Sequence, residues 1–220
     1  MTPKQERAVR TRSRLVLSAA EAFDRQGFAV ASLTAISRSA GVSNGALHFH
    51  FESKEALAVA VETEAVGRVR AAVDDSARPG ISALQVLVDA THVLTQRLRE
   101  DVVVRAGFRL GGDAARGVGS GLPVQWHRSV VRLVDRARLD GSLTSAVTPS
   151  DAAAAVAAVV LGSEVLARFD PAWLGPDLVA GFWDLLLPRL AAGPVERGQL
   201  DSGPAGFGGP PASARPSWAG

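Results

Sequence analysis

The chain has 220 residues, 47% hydrophobic and 21% charged, enough apolar material for a core; this excludes a chain left unfolded for want of one. It has no cysteine, which excludes disulfides, thiolate metal sites and cysteine nucleophiles and fits a reducing cytoplasm. The formal net charge is +2, but residues 1–54 carry eight Lys or Arg against four acids, placing +4 there and −2 on the remainder. A basic end on a mildly acidic body suits a polyanionic partner at that end.

The apolar residues are mainly Ala, Val and Leu, and aromatics make up only 5%, so an all-α fold of about nine helices is expected. The opening MTPKQERAVRTRSR is charged and has no apolar stretch, so it does not read as a signal peptide. The longest apolar run, Ala152 to Leu161, is short of the roughly 20 residues a bilayer requires, so a cytoplasmic protein without a membrane partner is expected. Leu15, Val16, Ala19, Ala20 and Phe23 recur at helical spacing, and Gly27 supplies a stop. Ser32 stands at the N-cap of a short helix bearing Leu33, Ile36 and Ala40, closed by Gly41. Ser43 caps a shorter one over about 44–49, and Ser53 a long one from Lys54 to about Asp75, with Leu57, Ala60, Val61 and Ala65 inside. The second and third of these, joined at Gly41-Val42, form a helix-turn-helix pattern.

Past the break at Arg78-Pro79-Gly80, helices are expected near 82–99, 102–111, 122–140, 149–169 and 174–190, with a glycine-rich loop over 111–121. The run AAAAVAAVVLG in the 149–169 helix is apolar on every side and should be buried all round. Such a helix has few places to hide in one protomer. Val156, Val159 and Val160, with Leu178, Phe182 and Leu185 of the last helix, are therefore expected in a four-helix homodimer seam. The segment 193–220 is rich in Gly, Pro, Ala and Ser and reads as a flexible tail. The expected division is thus 7–67, 68–192 and the tail.

The stretch GVSNGALHFHF, residues 41–51, poses the chemical question. Its histidines could ligate a metal, face a phosphate or fill space. His48 and His50 diverge by about 200° on a helix and cannot share one metal, so no metal or other cofactor is expected.

With its flanks, AAEAFDRQGFAVASLTAISRSAGVSNGALHFHFESKEALAVAV, the stretch resembles the DNA-binding domain of TetR-family regulators over about 50 residues. The shared features are a helix ending at Phe23 and Gly27-Phe28, a Leu-Thr-x-Ile helix, Ala40-Gly41-Val42-Ser43, Gly45-Ala46-Leu47, His50-Phe51 and Ser53-Lys54-Glu55. The resemblance implies contacts to double-stranded operator DNA from Thr34, Ser43, Asn44, Gly45, Ala46, His48, Phe49, His50 and Lys54, with Arg7, Arg10 and Arg12 in the preceding basic segment. Small residues at 45 and 46 allow close approach, and Lys54 at a helix start is expected to share a phosphate with the amides there. Phe49 and Phe51 are also expected to face the core. His48 stands where the family usually has Tyr, and Asn44 where many relatives have Lys; Asn pairs with adenine, Lys with guanine or phosphate.

The segment DVVVRAGFRL, followed by the glycine-rich loop and Pro123-Val124-Gln125-Trp126, resembles the γ-butyrolactone receptor branch of that family. This implies a small apolar signal (a γ-butyrolactone, a butenolide or, in a pseudo-receptor, an antibiotic or pathway intermediate) and a ligand-stacking role for Trp126, with core packing as the alternative. Trp173 and Trp183 read as packing residues. Arg105 and Arg109, four apart on one helix face, either pair with acids or bridge domains. Four scattered histidines, no cysteine and no phosphate loop do not make an enzyme site. The expectation is a ligand-responsive homodimeric repressor, and an architectural DNA binder without a ligand is the other class.

Overall fold

The computed structural model describes residues 2–76, 80–113, 116 and 121–192, so the tail over 193–220 and most of the 111–121 loop lie outside the described residues. Among the described residues no strand forms; a single isolated antiparallel bridge joins Leu143 and Ala191. The helices are α1 (Pro3–Val30), α2 (Leu33–Ser39), α3 (Asn44–His50), α4 (Lys54–Ser76), α5 (Ala83–Glu100), α6 (Val102–Gly111), α7 (Leu122–Leu139), α8 (Pro149–Ala167) and α9 (Pro176–Leu190), the last preceded by a 3-10 turn at Pro171–Leu174. They fall into two compact units. One holds residues up to Arg70 with Glu100–Gln125, the other Ala71–Arg99 with the described residues from Trp126 onward. The segment 100–125 therefore groups with the N-terminal helices rather than following the linear division at 67/68.

Local chemistry explains the helix ends. A reciprocal capping box starts α1, in which the Thr2 hydroxyl accepts from the Gln5 amide and the Gln5 side chain accepts from the Thr2 amide, with Pro3 behind. The break comes at Gly27, whose φ of 77° favours glycine. The Ser43 hydroxyl accepts from the Ala46 amide at 3.1 Å, and that of Ser53 from the Ala56 amide at 3.0 Å. Ser32 occupies the N-cap position of α2 but makes no such bond.

In the first unit Leu15, Val16, Ala19, Ala20 and Phe23 of α1 are buried, as are Ile36, Leu47, Phe51, Leu57 and Val61. Helix α6 packs along α1. Its arginines settle the open question about 105 and 109. Both Oδ atoms of Asp24 accept from Arg105 Nε at 3.0–3.1 Å, and Asp24 Oδ1 accepts from Arg109 Nη1 at 2.6 Å. Gly107 lets α6 lie against α4, since a Cβ there would come within 2.4 Å of the Ala65 Cβ. Asp101 caps α6 through the Val103 amide at 2.9 Å and pairs with Arg68 at 3.0 Å.

In the second unit α5, α7, α8 and α9 contribute Leu87, Val88, Leu94, Val130, Val134, Val156, Val160, Val179, Trp183 and Leu187 to the core. Trp183 packs edge-on against Phe182, as expected of a packing residue. Two expectations are corrected here. Helix α8 is not buried all round: Ala154, Ala155, Ala158, Val165 and Leu166 are exposed, whereas Ala152, Ala153, Val156, Ala157, Val160, Ser163 and Glu164 are buried. Val156 and Val160 thus belong to the protomer's own core, because the other helices of the unit already cover that face; they are not available to a partner. By length and composition α8 could cross a bilayer, yet its buried face carries Ser163 and Glu164, the latter paired with Arg168 at 2.7 Å. That polar content suits a core helix.

Candidate nucleic-acid interface

Helix α3 shows the face it leaves open. Leu47 is fully buried, and just past the helix end so is Phe51, which anchors the segment. Asn44, Gly45, His48 and Phe49 are exposed, and their spacing of three and four residues puts them on one side. The turn before it favours glycine at 41, whose φ is +64°. The Val42 amide closes the turn onto the Ser37 carbonyl at 3.0 Å. Thr34 is exposed on α2.

Because α1 begins at Pro3, its basic residues sit on a rigid helix rather than a loose arm. Arg7, Arg10, Thr11 and Arg14 share one face by their three- and four-residue spacing, and they line a cleft of about 850 Å³ with Gly41, Val42, Ser43, Ala46, Phe49 and His50. Arg14 is absent from the sequence-based set. The spacing 7, 10, 14 on a continuous helix was the signal that would have included it. Arg12 points elsewhere, its guanidinium lying 5.2 Å from the centre of the buried Phe51 ring, so it braces α3 instead of lining the cleft.

Two further residues depart from expectation. Phe49 does not enter the core. Phe49 is 83% exposed, its ring 5.3 Å from that of His50, because Leu47 and Phe51 already occupy the inward positions. Lys54 is not free to hold a phosphate. Its Nζ donates to the carbonyls of Phe28, Ala29 and Ala31 at 2.8, 3.1 and 3.2 Å and lies 4.6 Å from the centre of the Phe28 ring. An ammonium has three donors, and all three are used. Arg116 also packs 5.0 Å from the Phe28 centroid and pairs with Glu55 at 2.6 Å and Glu62 at 3.0 Å. Burial works against the Arg116 charge, but the hydrogen bonds to Glu55 and Glu62 outweigh it and leave its pKa raised.

Trp126 is buried in the second unit, and its indole N–H has no hydrogen-bond partner among the described residues. The same holds for the Trp183 N–H and for Gln85 Oε1, whose amide nitrogen donates to Asp89 at 2.8 Å. Burial lowers the pKa of nearby His92, with the Asp89 charge opposing, so its imidazole is neutral at physiological pH. Buried polar atoms without partners are uncommon in native proteins.

Residues 15–61 match the family described as bacterial regulatory proteins, tetR family. The A-factor receptor protein of Streptomyces griseus is 33% identical over 194 residues, which cover 86% of this chain and 66% of that protein, slightly under two thirds of its length. A solved γ-butyrolactone receptor (ArpA-like protein) is 29% identical with a TM-score of 0.70, covering 87% of this chain and 92% of its own. CprB from Streptomyces coelicolor, solved in complex with its biological operator sequence, is 28% identical with a TM-score of 0.71 at the same coverage. The fold, the helix-turn-helix with its cationic cleft and these likenesses agree: residues 15–61 form a DNA-binding domain of the tetR family of bacterial regulatory proteins, and the chain as a whole resembles the γ-butyrolactone receptors.

Proposed function

We propose that the protein is a ligand-responsive transcriptional repressor that acts in the cytoplasm, binding operator DNA as a homodimer and releasing it when a small, mostly apolar signal of the γ-butyrolactone type binds the second unit. One observation carries the DNA half of this reading: the cleft lined by Arg7, Arg10 and Arg14 lies beside the open Asn44, Gly45, His48 and Phe49 face of α3. Cations there neutralise phosphates while the open helix face meets base edges. CprB, solved with its operator, supports the same mode by likeness.

The signal half rests on Trp126. A lactone ring can stack on the indole, and its carbonyl can accept the unpaired N–H. Dimerisation uses the outward side of the last helices, with half-buried Val159 and Phe182 and exposed Leu166, Phe169 and Leu185, since Val156 and Val160 are covered already. A mobility shift on the DNA upstream of the protein's own coding region tests the reading. Wild type should retard it and a γ-butyrolactone should release it. Trp126→Phe keeps an aromatic face but removes the indole N–H, so the folded variant should still retard the DNA and respond to the lactone at least tenfold less sensitively. Normal release by Trp126→Phe would remove the indole N–H from the ligand site, and no retardation by wild type would refute the reading as a whole.

A further inference from the structure

We propose that Phe49 reads sequence, by packing its ring against the C5-methyl group of a thymine in the major groove. The inference rests on the operator-binding reading above and adds a base preference to it. Phe49 is 83% exposed although the neighbouring Leu47 and Phe51 are buried, so the ring is not a displaced core residue. Its ring lies 5.3 Å from the His50 ring, at 84° between planes. It stands on the same side of α3 as Asn44, Gly45 and His48, four residues beyond Gly45, where the space that a Cβ would fill is open apart from Ser43 Oγ at 3.9 Å. A base edge can therefore come close to the helix backbone at Gly45, beside the ring. The ring also lines the cleft of Arg7, Arg10 and Arg14, whose charges fit the flanking phosphates.

Chemistry narrows what the ring can touch there. Phenylalanine has no hydrogen-bonding group, so it gains nothing from a phosphate oxygen or from the polar atoms of a base edge. On the major-groove edges of the four base pairs the only methyl group is that of thymine. Contact with it removes both the methyl and an exposed ring face from water.

The test uses the full-length protein and a duplex selected by wild type from a randomised pool. Each thymine in the duplex is replaced in turn by deoxyuridine, which deletes only the methyl group. At one position per half-site wild type should bind about fourfold more weakly, the factor a buried methyl group is worth. Phe49→Ala should bind the thymine and deoxyuridine duplexes equally and should melt as wild type does, because the ring is exposed. Wild type indifferent to every methyl, or a Phe49→Ala variant that keeps the wild-type sensitivity, overturns the proposal while leaving operator binding intact. Selection of no sequence at all overturns both.

Discussion

The Lys54 ammonium satisfies three carbonyls at the C-terminal end of α1, of Phe28, Ala29 and Ala31. Those oxygens follow the break at Gly27, where the helix no longer supplies them with donors. The residue thus ties α4 to α1 and fixes the height at which the short helices sit. Lys54→Met keeps the apolar stem and deletes the donors, so it should lower stability by about 1–3 kcal/mol, the range for hydrogen bonds to a charged group in a half-exposed place. Chemical denaturation measures this directly. The salt dependence of DNA binding by the folded variant should match wild type, and a flatter dependence would return Lys54 to the phosphate contacts. A lysine at a helix start reads in sequence as a phosphate ligand, because spacing does not reveal which way a long side chain turns. Phe49 poses the same difficulty: alternating His and Phe at 48–51 do not say which ring faces inward.

At the scale of elements, the seating of α6 decides the shape of the first unit. Asp24 holds both Arg105 and Arg109, and Gly107 lets the α6 backbone approach α4 at Ala65. Gly107→Ala puts a methyl 2.4 Å from the Ala65 Cβ, too near for either to stay in place. The gain in helix propensity, about 1 kcal/mol, is smaller than the overpacking cost of about 1–3 kcal/mol. The variant should melt at a lower temperature, and Ala65→Gly in the same chain should restore it; failure of the second change to rescue would show that the clash is not the cause. Most of these elements were legible beforehand, since Ser43, Ser53 and Gly41 mark helix ends by chemistry that operates within a few residues. What depends on distant partners was not. A Pro3 start for α1 is hidden in a polar segment without apolar periodicity, and the division of α8 into buried and open sides cannot be read from a run of Ala and Val. Val156 and Val159 differ only in which neighbours reach them.

At the scale of the whole molecule, the open apolar residues near the C-terminal helices need cover. Phe169 is 85% and Leu185 80% exposed, a cost that burial against a second copy relieves. Leu185→Asp should leave the protomer folded, convert the dimer to a monomer in sedimentation analysis and weaken operator binding by more than tenfold, because two linked heads bind far more tightly than one. Val156→Asp, by contrast, places a charge in the protomer core and should unfold it. A Leu185→Asp protein that remains dimeric would move the seam away from α9. Under the proposed function, DNA phosphates are held in the cleft of Arg7, Arg10 and Arg14 beside α3. The most direct measurement is operator affinity against salt for wild type and for a variant carrying Ala at all three positions. Each phosphate contact contributes about 0.9 to the slope of log affinity on log salt, so the variant, still folded, should lose about 2–3 per protomer. An unchanged slope in a folded triple variant would show that the phosphates are held elsewhere.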